Sequence, residues 1–382
     1  MIVHNYYQIP GGEDTVVENE KRMLEEHGHK VILYTRNNAE LKRMSKLRKL
    51  FLPVTTVFNP KSYKEIKQLI KKENIEVVHV HNTLNLVSPA VYYAAKAMKV
   101  PVVQTIHNFR LLCPGATFYR DGHICEDCVE HGLKCAVKHS CYRGSKAQTL
   151  ACVLSTWFHR MTGIYGKISY ICLTDFNRNK LLELKQVKSD KVFVKPNFVE
   201  SIGKYIPEDQ RKNQFVFVGR LDKLKGIDTL FNAWEKLGER APKLIVCGTG
   251  PMEEWCKKFL TNHKVNIEMK GFVSNIEARK LIAISRALIL PTRWYEGFPM
   301  SIVEAFSVGT PVLCSALGNA GAVVENGITG YKFNAESVDE LIQSANMCYG
   351  LCEKTYGIYQ KRYTKEENYN KLMEIYNAAE RI

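Results

Sequence analysis

Short apolar runs alternate with longer amphipathic stretches along most of the chain. Residues 75–80, 100–106, 170–173, 191–194, 214–218, 244–247, 267–269 and 287–290 are brief, rich in Val, Ile and Leu, and mostly end at Gly, Pro, His or Asn. Such runs read as strands buried on both faces of a parallel sheet. Residues 1–3 and 30–34 add two further strands, the first of them very short. Between the strands, apolar positions recur at helical spacing, as in residues 14–26, 145–166 and 227–237. Alternation of this kind predicts an α/β chain with parallel sheets. Residues 199–212 are polar, contain Pro207 and lack a period, as a linker does. We therefore expect two Rossmann-like domains, residues 1–197 and 198–364. A closing helix, 365–382, is amphipathic through Tyr369, Leu372, Ile375 and Tyr376. A length of 382 residues suffices for two domains of this class.

One stretch concentrates the chemistry. Residues 287–290 stop at Pro291, and a loop carrying Glu296, Gly297, Phe298 and Pro299 leads into an amphipathic segment that carries Met300 and Glu304. A strand, loop and helix in succession put the loop at the carboxyl edge of the sheet and aim the helix N-terminus at the crevice where ligands bind. Free N–H groups there attract phosphate, and two carboxylates suit sugar hydroxyls. Glu304 also fits a capping box with Ser301, which leaves its role open. Glu296 belongs to no cap and sits among Trp294, Tyr295 and Phe298.

Other strand ends add cations, glycines and a histidine. Residues 214–218 run into Gly219-Arg220-Leu221-Asp222-Lys223-Leu224-Lys225-Gly226, where Arg220 and Lys225 can clamp a diphosphate and stabilise its charge as it leaves. Thr249 and Gly250 lie in the next glycine turn, and Val273 follows the strand after it. Gly11 and Gly12 precede the first helix, where backbone without Cβ atoms can approach a phosphate; a plain tight turn would look the same. His79, within a strand, reads as structural. His107 lies just past one, and could position a sugar, relay a proton or simply end the strand.

The run EGFPMSIVEAFSVGTPV resembles the Glu-x7-Glu signature of family 4 retaining glycosyltransferases. The resemblance implies the GT-B fold, two facing Rossmann-like domains with a C-terminal helix crossing back to the first. It implies that Glu296 meets donor-sugar hydroxyls and Glu304 the nucleotide ribose, with Phe298, Pro299 and Met300 also at the donor. GRLDKLKG is similar to the family's Arg and Lys pair, Thr249 and Gly250 would border the diphosphate, and Val273 the base. QTIHNFRLLCPG resembles the loop with the active-site histidine, here His107, and Gly11 and Gly12 match a glycine loop at the distal phosphate. A family member would also have residues ahead of Met1. The implied activity moves a sugar, with retention, from a nucleoside diphosphate donor such as a UDP-sugar to a glycan or lipid-linked acceptor in surface polysaccharide assembly. No Asp-x-Asp triplet occurs, so we expect metal-independent transfer and no catalytic cofactor. A GT-B epimerase acting on a nucleotide sugar is the alternative.

Charge and cysteines complete the picture. A formal net charge of +15 calls for an anionic partner: nucleic acid, membrane or phosphorylated substrate. Neither a nucleic-acid module nor basic residues interleaved with aromatics along a strand is found, so a nucleic-acid partner is not expected. Residues 39–52 combine Leu41, Met44, Leu47, Leu50 and Phe51 at helical spacing with Lys42, Arg43, Lys46, Arg48 and Lys49. A helix of this kind suits an anionic membrane surface or an ordinary core. With no spanning segment and no signal-peptide pattern, the protein is expected in the cytoplasm, peripheral on the inner face of the cell membrane. Residues 113–141 are a cysteine-rich insertion in which Cys113, Cys125, Cys128 and Cys141 could hold a structural zinc ion; a redox C-x-x-C is the competing reading.

Overall fold

A computed structural model describes residues 1–8, 11–201 and 205–381 of the chain. Pro10 of the glycine loop, residues 202–204 of the linker and residue 382 lie outside the described residues. Contacts divide the chain into two compact units, Met1–Pro196 with Tyr369–Ile382, and Asn197–Asn368.

The first unit contains β1 (Ile2–Tyr6), β2 (Leu33–Asn37), β3 (Val78–Val80) and β4 (Val102–Ile106), then a small antiparallel hairpin of β5 (Tyr119–Arg120) and β6 (His123–Ile124). It ends with β7 (Ser169–Cys172) and β8 (Val192–Val194). Six of these strands form a parallel sheet in the order β2-β1-β3-β4-β7-β8. β1 is longer than its apolar run because two polar residues are buried inside it. His4 bonds Asp14 at 2.7 Å, and the Asn5 side-chain oxygen Oδ1 accepts from the Leu86 amide at 2.8 Å. β2 lies three residues later than the expected 30–34.

Residues 39–52 are not one helix. Three short helices, Glu40–Arg43, Lys46–Leu50 and Leu52–Val57, replace it. Ser45 caps the second by accepting from the Arg48 amide, and Pro53 can occupy only the start of a helix, so it begins the third. The closing helix, Lys365–Glu380, contributes its later residues to the first unit. Leu372 and Ile375 are buried, the Tyr369 ring stacks on His27 at 3.7 Å, and Tyr376 bonds His79 Nδ1 at 2.7 Å.

The second unit contains β9 (Gln214–Val218), β10 (Lys243–Cys247), β11 (Ile267–Gly271), β12 (Ala287–Leu290), β13 (Val312–Ser315) and β14 (Gly330–Phe333). They form a parallel sheet in the order β11-β10-β9-β12-β13-β14. Its core holds Phe215, Phe231 and Trp234, each fully buried, with the indole N–H satisfied by the Pro242 carbonyl at 2.7 Å. Burying a Phe or Leu of this kind contributes about 1.5–3 kcal/mol. The order reverses between β9 and β12, and between β1 and β3 in the first unit. Chain connections leave these strand pairs in opposite directions, opening a crevice at their carboxyl ends.

Candidate functional site

The crevice of the second unit is shaped by glycines. Gly226, at φ +67°, turns the chain so close to the end of β12 that an added Cβ would lie 1.8 Å from the Pro291 carbonyl oxygen. Gly248, at φ +140°, passes Gly219 equally closely, and Cβ atoms at Gly250 would strike the Leu221 backbone. Backbone bonds lock these turns together, with Leu221 N–H donating to Thr249 at 3.0 Å and Arg293 N–H to Leu224 at 2.9 Å. The loops after β9, β10 and β11 thus enclose a cavity of about 520 Å3, whose walls include Arg220, Thr249, Gly250 and Val273. Arg220 is largely exposed, its guanidinium 3.6 Å from Asp222. Phe272, which sequence reasoning passed over, stands 82% exposed on the same cavity. Its signal was a large ring in a polar loop.

Lys225 and Glu296 meet directly, Nζ to Oε1 at 2.6 Å. The Thr292 hydroxyl donates to the same oxygen at 3.0 Å, so among the described residues Oε2 carries no hydrogen bond. Asn319 Nδ2 donates to the Glu296 and Gly297 carbonyls at 2.8 and 2.5 Å. This brace fixes the loop and comes from a segment that the sequence did not mark. Phe298 and Met300 are partly buried against the apolar core, which makes them anchors of the loop. The helix after it, Met300–Phe306, is capped by Pro299, so Ser301 lies inside it and forms no capping box with Glu304. The Glu304 carboxylate instead accepts from Asn275 Nδ2 at 3.0 Å.

In the first unit, His107 follows β4 and lines a cavity with His81, Asn82, Thr105, Asn108 and Arg110. His107 Nε2 lies 2.9 Å from His81 Nδ1, and His81 Nε2 lies 3.2 Å from Glu20 Oε2. The second approach is off-line and leaves both atoms short of a full hydrogen bond. Glu20 also meets Lys195 Nζ at 2.7 Å, both side chains being buried. Burial opposes ionisation of Glu20, yet Lys195, His79 and His81 together hold its carboxyl well below the usual range. Burial, reinforced by His81, holds His107 well below the ordinary histidine range, so its ring is neutral at pH 7. One proton lies between His107 Nε2 and His81 Nδ1, leaving His107 Nδ1 as the nitrogen that can exchange a hydrogen bond with a ligand. Sequence reasoning named His107 but missed Glu20, His81 and Lys195.

His79 is structural, its ring nitrogens bonded to Tyr376 and Thr105. Among the described residues, Glu20, His79 and His81 are the one set of three metal-binding side chains with ligand atoms within 4.8 Å of one another. With both His79 nitrogens engaged and Lys195 supplying positive charge to Glu20, the set is a polar network rather than a metal centre. Gly11 caps the first helix, Gly12–Glu26, in extended backbone, and its amide already donates to Asp14 at 3.0 Å. Gly12 is the first helical residue.

The cysteines of the insertion are all free. Cys128 and Cys141 pack in one apolar cluster, and a Cβ on Gly115 would touch both Cys113 Sγ and Cys141 Cβ, at 3.6 and 3.5 Å. Burial, and then the neighbouring Cys113, push the Cys128 thiol up to about 12. The thiols do not close to within 4.8 Å of one another as a set of three or more.

Comparison with known proteins follows this division of the chain. The family model described as Glycosyltransferase Family 4 matches residues 10–201, and that described as Glycosyl transferases group 1 matches residues 199–347. An uncharacterized glycosyltransferase of Methanocaldococcus jannaschii is 35% identical over 152 residues, 38% of this chain and 37% of that protein. Among solved structures, the lipopolysaccharide outer core galactosyltransferase WaaB superposes with a TM-score of 0.66 at 16% identity, over 98% of this chain and 99% of its own. Anabaena HepE in complex with UDP gives 0.68 at 16% identity over 99% of each chain.

Proposed function

The chain belongs to glycosyltransferase family 4 and has the GT-B type of fold, and from that premise we propose that it is a retaining, metal-independent transferase that moves a sugar from a UDP-sugar to a glycan or lipid-linked acceptor. The observation that carries this reading is the Lys225–Glu296 contact at the switch point of the second sheet, beside the cavity walled by Arg220, Thr249, Gly250 and Val273. The UDP bound to Anabaena HepE supports uridine as the base, and the likeness to WaaB, a lipopolysaccharide outer core galactosyltransferase, supports surface glycan assembly.

In this reading the diphosphate lies over the glycine turns after β9 and β10, near Arg220 and Lys225. Phe272 and Val273 receive the base. As the bond to the sugar breaks, negative charge grows on the diphosphate, and the two cations stabilise it where a metal would otherwise be needed. Glu296 Oε2 accepts from donor-sugar hydroxyls and orients the carbon that becomes oxocarbenium-like, while His107 Nδ1 bonds a hydroxyl of the donor or acceptor. The acceptor attacks from the face the diphosphate leaves, which preserves the anomeric configuration.

Glu304 is assigned to the ribose. Glu304→Ala should weaken both UDP and UDP-sugar by roughly 1.5–3 kcal/mol, the worth of a charge-assisted hydrogen bond. Turnover at saturation should fall less. Calorimetric titration with UDP checks this, and unchanged affinity would remove Glu304 from the donor site.

Cys113, Cys125, Cys128 and Cys141 are proposed to close around a structural zinc ion that ties down the insertion. Binding would deprotonate thiols that burial otherwise keeps protonated. Protein purified without added metal should carry one zinc per chain, and Cys125→Ser with Cys128→Ser should lose both the metal and thermal stability. Metal-free protein with fully titratable thiols would contradict the assignment.

A further inference from the structure

The helix Lys146–Met161 is amphipathic in the reverse sense. It turns Thr149, Cys152, Val153, Ser155, Thr156 and His159 inward, mostly polar side chains, while Leu150, Leu154, Trp157, Phe158 and Met161 are exposed, Met161 by 70%. A helix in water normally does the opposite. The helix Leu52–Val57 packs beside it, with Ser155 Oγ donating to the Thr56 carbonyl at 3.4 Å and His159 Nε2 to that of Val57 at 2.8 Å. This neighbouring segment exposes Leu47, Leu50, Phe51 and Val54, Leu50 by 73%. Nine of the fourteen large apolar side chains exposed among the described residues therefore belong to two adjoining stretches.

The same stretches hold most of the chain's excess positive charge. Residues 41–64 contain seven Lys or Arg, residues 131–174 contain six, and neither contains a single Asp or Glu. The formal net charge of the whole chain is +15. Apolar side chains set among cations, with no acidic residue between them, match the boundary of an anionic bilayer, where acyl chains lie beneath negative headgroups. A second copy of the chain would be a poor occupant, because pairing like faces would bring the cations together.

We propose that the helices Lys46–Leu50, Leu52–Val57 and Lys146–Met161 form one face that docks on an anionic lipid bilayer. Trp157 and its apolar neighbours enter the headgroup–acyl boundary, and Lys42, Arg43, Lys46 and Lys49 bind headgroups. A groove of about 320 Å3 runs between these segments, lined by Leu52, Pro53, Thr56, Ala147 and Ala151. Cys152 forms a wall of both this groove and the cavity that His107 lines, which puts the two side by side. The docking does not depend on the sugar chemistry proposed above, and its test uses no donor.

The full chain is mixed with vesicles of phosphatidylcholine, alone or with an equal part of phosphatidylglycerol. Sedimentation should carry the protein down with the mixed vesicles only, and its tryptophan emission should shift to the blue, a shift absent in Trp157→Phe. Leu154→Ser with Trp157→Ser should lower binding by at least tenfold. Lys42→Glu, Arg43→Glu, Lys46→Glu and Lys49→Glu together should abolish it. Because these side chains are exposed, the melting temperature should not move. Wild-type protein that stays free of mixed vesicles, or binding that survives both sets of substitutions, would overturn the proposal. So would a dimer in solution that Leu154→Ser with Trp157→Ser converts to a monomer, since the face would then belong to a second copy.

Discussion

Glu296→Ala is expected to lower kcat by about two orders of magnitude or more, because a group that orients the reacting sugar acts where charge develops. Affinity for UDP should hardly change, and the contact with Lys225 explains why. Removing the carboxylate frees a lysine that, without ligand, is paired at 2.6 Å, and the freed cation can only strengthen its hold on a diphosphate. A drop in turnover without loss of UDP binding is therefore the signature. Steady-state kinetics beside calorimetric titration separate it from a general loss of the site, which would weaken both. Near-wild-type turnover would remove Glu296 from its assigned role.

Glu20→Ala should be the most damaging single change to the first unit. Lys195 and Glu20 face each other at 2.7 Å with both side chains sequestered, and Glu20→Ala removes the carboxylate that faces this buried ammonium. Breaking a buried pair this way costs about 3–5 kcal/mol. Glu20→Ala combined with Lys195→Met should recover much of that loss, because the buried ammonium is removed along with its carboxylate, and chemical denaturation of both variants measures it. The pH dependence has a definite sign. The Glu20 pKa is depressed by folding, so its contribution is present above the unfolded carboxylate pKa of about 4.3 and disappears as pH falls toward the folded value. Wild-type protein should therefore lose stability on acidification more steeply than the double variant.

The elements that sequence reasoning placed well are those written locally. β9, β12 and the helix Ile227–Leu237 have the bounds that their apolar runs and flanking Gly and Pro define. β1 was read as shorter because a histidine and an asparagine look like the end of a strand, and only pairing with β2 and β3 on either side shows them buried. Residues 39–52 kept a helical period across Ser45, whose capping bond splits the segment. The helix Lys146–Met161 was identifiable as a helix, but which of its faces packs depends on neighbours distant in the chain. The same holds for the site. Glu296 and Lys225 stood out through their local context, whereas Glu20, His81 and Lys195 meet only after β3 and β8 have joined one sheet. Asn319 braces the Glu296 loop from 23 residues downstream, a contact with no local signal.

The central claim, that the chain transfers sugar from a nucleotide donor with retention, is tested most directly by analysing products. Each of a panel of UDP-sugars is incubated with the full chain and a lipid-phosphate acceptor, and proton NMR follows the anomeric signals. The account predicts UDP release that requires acceptor, with a glycosidic product of the donor's own anomeric configuration. An inverted product, a donor converted to its isomer without acceptor, or no UDP release from any sugar would contradict it.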